Sequence, residues 1–328
     1  MNHPTSELNA AQRERRRALV VPREHGAWGI LLVPLVTGAA VGLLRGGCIV
    51  PVLLLATAVL ALFWLRTPLE SYLGTSPMRA QSSEERLLVL RVILPLAVIA
   101  LASLTALFWR GRNSDLLWLG GAAGATFGVQ QLLSRTGRAT RMAAQMAGAL
   151  GLTSTAAAAY YVVTGKFDQT AWALWLANWL FAGDQIHFVG LRIRAARVVG
   201  WRQKLAAGWS FLAGQIVLAG VLVLAALWRF LPPWTLLAFA PILFRGMAWF
   251  VAKPQPIVLR RIGWTELAHA VIFGVLLIAG FSVGRCSRSP VVKGFRQGAD
   301  YERGRRAKRF SPEVTERGRR FCSMRKMQ

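Results

Sequence analysis

The chain has 328 residues, 54% of them hydrophobic and 16% charged, and a formal net charge of +26. So much apolar residue with so few charges excludes an ordinary soluble domain and fits a chain that crosses a membrane many times. Only four aspartates (Asp115, Asp168, Asp184, Asp300) and three separated cysteines (Cys48, Cys286, Cys322) argue against a crowded carboxylate centre, a disulfide framework or a CxxC metal site.

Residues 1–22 are polar and arginine-rich, without helical apolar periodicity, and are expected to be a disordered basic head. Nine apolar segments follow, each near the roughly 20 residues that a spanning helix needs. They are Gly26–Leu44, Ile49–Leu65, Leu87–Phe108, Leu116–Leu133, Ala143–Val163, Ala171–Val189, Leu205–Leu227, Trp234–Val251 and Leu267–Val283. The fold class is therefore all-α, a polytopic transmembrane bundle over residues 23–284, with a disordered basic tail at 285–328. Pro68 is expected to end the second span. Gly120, Gly124 and Gly128 recur every fourth residue in the fourth, where they would let another backbone approach.

Lys and Arg in short loops set membrane orientation. Loops on the side of the head carry fourteen of them and the opposite loops five. The head is accordingly placed in the cytoplasm and the protein in the bacterial plasma membrane. Basic charge reads here as topology, so no specific nucleic acid is expected; membrane lipids and an anionic or phosphorylated lipid ligand are.

Ionisable residues within or at the ends of spans are costly and mark candidate sites. Glu24 and His25 open the first span beside Trp28, and Arg66 and Glu70 close the second. Asp184 and His187 lie three apart near the end of the sixth; Glu266 and His269 repeat that spacing at the start of the ninth. All fall on the head side, which predicts a cytoplasm-facing polar pocket. Its anion-binding residues would be Arg23, Arg66, Arg192, Arg194 and Arg197, with Glu24, Trp28, Glu70, Asp184 and His187 lining it. His25, Glu266 and His269 are the candidate catalytic proton carriers. The two carboxylate-x-x-His pairs also resemble half of a helical di-metal site, but the further bridging carboxylates are missing, so no metal ligands are assigned and no cofactor is identified.

Pro22-Arg23-Glu24-His25-Gly26-Ala27-Trp28 followed by Leu32-Val33-Pro34-Leu35 resembles the YwiC-like family of multi-pass bacterial membrane proteins. The resemblance continues at Arg66-Thr67-Pro68-Leu69, at Arg192-x-Arg194 and at Ile262-Gly263-Trp264-Thr265-Glu266-Leu267, and covers about residues 20–284. It implies a membrane protein without implying a reaction. The layout of nine spans, with loops of interest after the second and sixth, is also similar to UbiA-type prenyltransferases, which transfer a polyprenyl chain from its diphosphate. That likeness implies an enzyme acting on a phosphorylated isoprenoid or lipid. The Asp-rich magnesium motifs of those enzymes are absent, since residues 66–86 contain no Asp, so arginines would have to hold the diphosphate. A small-anion transporter and a non-catalytic subunit that docks a partner are the alternatives.

Overall fold

The computed structural model describes residues 4–21, 25–74, 78–111, 114–137, 140–196, 198, 200–252 and 259–286. The elements are α1 (Pro4–Val20), α2 (His25–Leu43), α3 (Val50–Leu73), α4 (Ser83–Trp109), α5 (Ser114–Arg135), α6 (Arg141–Thr164), α7 (Gln169–Arg194), α8 (Trp201–Leu227), α9 (Ala240–Val251) and α10 (Leu259–Cys286). A 3-10 segment, Pro233–Phe239, leads into α9, so the eighth predicted span is a broken helix. Each of the nine predicted spans falls on a helical stretch. Among the described residues, six helical stretches are long and apolar enough to cross a membrane, and Trp28–Leu43 is a shorter apolar helix. The glycine-rich α5 and the polar α7 are not among them, yet both pack into the same helical unit.

Local chemistry sets several boundaries. Ser82 caps α4 by accepting from Glu85 N at 3.1 Å, with Glu84 and Glu85 in the first turn, where the helix dipole favours acids. Gly74 and Gly165 end α3 and α6 in the left-handed region, at φ 72° and 71°. Pro68 does not end α3, which continues to Leu73. A proline within an apolar span is tolerated where neighbouring groups re-satisfy the freed backbone, and Arg66 bridges the position by pairing with Glu70, one turn on, at 2.9 Å.

The interior is built around α6 and α7. The Ala156–Ala159 run, Tyr160, Leu174, Ala177 and Phe181 form one buried cluster with residues of α2, α3, α8 and α10. Gly38 of α2 lies directly against the Ala156 backbone, and a methyl group built there would overlap the Ala156 carbonyl. Gly38→Ala is therefore expected to lower stability by about 1–3 kcal/mol. Gly29→Ala, at a position with open space beside it, should leave thermal unfolding of the purified protein unchanged. Gly120, Gly124 and Gly128 also face open space, so they do not mediate close packing among the described residues. The close contacts between α5 and α6 instead use glycines of α6: Gly151 meets Thr126, and Gly148 meets Gln130.

The head is not the disordered segment its polarity suggests, for residues 4–20 are helical. Its last turn carries the apolar grip, Leu19, which packs with Ala80 and Val89. Arg15 Nε meets Glu85 Oε1 at 2.6 Å, and Trp64 Nε1 donates to Val20 O at 3.1 Å. The acids that begin α4 thus supply the partners that the arginine run lacks on its own. The described residues up to Arg285 form one compact unit; the basic tail, residues 287–328, lies outside the described residues.

Candidate functional site

Four helices bring their polar side chains together in the bundle interior. Asp184 of α7 lies ten residues before Arg194 at that helix's end, about 15 Å in at 1.5 Å per residue. Arg245 of α9 donates through its NH2 nitrogen to Asp184 Oδ2 at 3.0 Å and through NH1 to Glu266 Oε2 of α10. Gln215 of α8 donates Nε2 to Asp184 Oδ1. Gln185, next to Asp184, donates to the Glu266 carbonyl at 2.9 Å. The side chains of Asp184, Arg245 and Glu266 are only 1%, 11% and 13% exposed. The guanidinium carbon sits 4.1 Å from the centre of the Phe188 ring, a cation–π contact that shields it from solvent.

Burying an ion pair is tolerated only where the partners are close and hydrogen-bonded. Here one guanidinium serves two carboxylates, which leaves one excess negative charge. Among the described residues, Glu266 Oε1, Gln215 Oε1 and Arg245 Nε have no hydrogen-bond partner. This triad is where the structure concentrates its unresolved polarity.

Of the residues that the sequence proposes, Asp184 and Glu266 meet here, joined by an arginine that the loop-centred reading passed over. His187, three residues from Asp184, lies 3.5 Å from Ser210 Oγ and edge-on to Phe211. His269 turns back to its own helix, with Nδ1 2.7 Å from Thr265 O. Arg192 and Arg194 end α7, where cations suit the helix dipole. The contacts described for Arg66 and Glu70 lie on α3 and α5: Gln131 donates to Glu70 at 3.2 Å, and Arg66 stacks over Phe127 at 5.1 Å. Trp28 packs edge-on against Phe63, with ring centres 4.8 Å apart. Arg23, Glu24 and Arg197 lie outside the described residues, as does the side chain of His25. Among the described residues no three His, Cys, Asp or Glu side chains are grouped to hold a metal ion.

Sequence reading missed Arg245, Gln215 and Lys204. The signal was present for Arg245, a lone charge within an apolar span. Lys204 is 5% exposed and caps α9, donating to Trp249 O at 3.0 Å and to Ala252 O. It borders a cavity of about 370 Å3 lined by Gly200, Trp201, Phe250, Val251 and Ala252, and the triad is not part of that lining.

At the other end of the bundle a second network joins the α2–α3 turn to α6 and α7. Arg45 donates to Asp168 Oδ2 at 3.2 Å, to Thr170 Oγ1 at 2.8 Å and to Tyr160 Oη. Tyr160 donates to Asp168 Oδ2 at 3.0 Å, while Asp168 Oδ1 caps α7 through the amides of Thr170 and Ala171. Between the two networks, Asn178 of α7 donates to Thr37 of α2 at 3.1 Å, with both residues 1% exposed. Buried polar residues, Asn178, Asp184 and Gln185, thus lie along the middle of α7 between the two ends.

Helices of this length and composition, packed round a polar interior helix, define a multi-pass helical membrane protein. Residues 21–160 match the family model described as YwiC-like protein. The "Uncharacterized protein YwiC" of Bacillus subtilis (strain 168) is 26% identical over 257 residues, which cover 77% of this chain and 95% of that protein. On these matches the chain is similar to YwiC-like proteins, through residues 21–160 for the family model and through most of its length for the Bacillus relative. No solved structure matches it. The residues that the family model matches end in α6, so the triad lies beyond them.

Proposed function

We propose that this protein is a transporter that moves a small solute across the bacterial plasma membrane, with the Asp184–Arg245–Glu266 triad as its charge-bearing centre. The observation that carries the reading is Arg245. It rides on a broken span and bridges carboxylates from two other helices. Discontinuous helices and intramembrane ionisable groups are what alternating-access proteins use to couple binding to movement, and a packing interface would be served more cheaply by apolar side chains. The excess of basic residues in the loops near the head, fourteen against five, supports a cytoplasmic head.

The enzyme reading of UbiA-like layout draws less support. Holding a diphosphate requires several arginines with donors to spare. Arg245 already serves two carboxylates, Arg66 is engaged on α3 and α5, and Arg192 and Arg194 sit at a helix end. The same charge balance turns the choice of solute away from a bare anion, because with both carboxylates ionised the centre is itself one negative charge in excess. Docking of a partner on basic loops would leave the buried triad without a role.

Alternating access can be tested without knowing the solute. In a protein whose own cysteines are changed to serine, Gln185→Cys places a thiol beside the triad. A membrane-impermeant maleimide is expected to label it in both right-side-out and inverted vesicles. Ser210→Cys serves as a reference nearer the head end and is expected to label far faster in inverted vesicles. Labelling of Gln185→Cys from one side only would reject transport.

A further inference from the structure

We infer that the triad is a proton-binding site and that the exchanging proton sits on Glu266 Oε1, so that solute movement is coupled to proton movement. The coupling rests on the transport reading; the proton site rests on charge and hydrogen-bond inventory alone. Asp184 has both oxygens engaged, Oδ1 by Gln215 and Oδ2 by Arg245. Among the described residues Glu266 has only Oε2 engaged, and Oε1 is buried without a donor. Gln215 is 7% exposed, and its amide is oriented by Asp184 so that Oε1 is a second buried acceptor of this cluster that receives no hydrogen bond among the described residues. Two acceptors thus lack a donor where one positive charge is missing. A single proton on Glu266 Oε1 removes the excess charge and turns one orphan acceptor into a donor. Arg245 Nε, itself a donor, is unaffected.

Among the described residues the charged and titratable groups around Glu266 are few. Asp184 and His187 come from α7 and Arg245 from α9; α8 contributes the neutral Gln215, and His269 lies one turn along α10 itself. A metal cation would have to share this space with the guanidinium, and the oxygen ligands left to it are two. A proton needs only one of them. It arrives from water as hydronium, leaves water behind, and returns to water on release, with no other bond made or broken.

The test is infrared difference spectroscopy of the purified full chain in phosphatidylcholine nanodiscs, comparing alkaline with acidic buffer. The expected result is a protonated-carboxyl band that shifts when the protein carries isotope-labelled glutamate, that Glu266→Gln abolishes and that Glu70→Gln leaves in place. The labelling needs no mutation, so a folding defect in Glu266→Gln cannot hide the answer. A band that ignores glutamate labelling, or that survives Glu266→Gln in a folded protein, overturns the inference. So does sodium chloride at constant alkaline pH reproducing the carboxylate change, which would make the ligand a metal cation. The band with one-sided Gln185→Cys labelling would reject transport and keep the proton site; two-sided labelling without the band would do the reverse.

Discussion

Arg245→Met is expected to be among the most damaging single substitutions in the protein, costing about 3–5 kcal/mol or preventing recovery of folded material. Methionine fills much of the same volume and keeps an apolar contact with Phe188. The loss therefore comes from leaving Asp184 and Glu266 as uncompensated carboxylates in a water-poor interior. Two further variants identify the cause. Asp184→Asn and Glu266→Gln added to Arg245→Met remove both charges and should restore most of the stability, because a neutral hydrogen-bonded cluster no longer needs a cation. Arg245→Lys keeps the charge but cannot reach two carboxylates with a planar fork, so an intermediate loss is expected. Thermal unfolding of detergent-purified protein reads all three. If Arg245→Met alone melts with the wild type, the triad does not hold α7, α9 and α10 together, and the site assignment loses its basis.

The helices were legible because apolar stretches of spanning length, flanked by arginines, leave few other structures open to a chain. All nine predicted spans fall on helical stretches, including α7, whose Asn178, Asp184, Gln185 and His187 make it less apolar than the other spans. The head was misread because an isolated arginine run gives no sign of the acids that will face it. Glu84 and Glu85 lie about seventy residues away, and only packing brings them to Arg15 and Arg16. Asp184 and Glu266 were legible as costly residues, but spacing within each helix pointed to His187 and His269 as their partners. The partner that the fold supplies, Arg245, comes from a third helix, a relation that no local period records. The glycine periodicity of α5 misled for a related reason. A stripe of small residues permits close approach, and whether another backbone takes the opening depends on how the neighbouring helix is placed.

The second large effect is expected at the opposite end of the bundle, where Asp168 has two roles. Its Oδ1 caps the first turn of α7, and its Oδ2 receives both Arg45 and the Tyr160 hydroxyl. Asp168→Ala loses a cap worth about 1 kcal/mol. It also leaves the hydroxyl of Tyr160, a residue buried in the core, without its acceptor, at about 1–3 kcal/mol. The ion pair adds little, because both of its side chains are more than a third exposed. The total expected is about 2–4 kcal/mol. Asp168→Asn separates the contributions: its amide oxygen can still cap α7, so it should lie well above Asp168→Ala in melting temperature and below the wild type. Arg45→Ala removes the bonds to Tyr160 and Thr170 but leaves the cap, and should resemble Asp168→Asn. Equal melting temperatures for Asp168→Ala and Asp168→Asn would show that the cap contributes nothing. The load would then fall on the charge that ties the α2–α3 turn to the start of the polar helix.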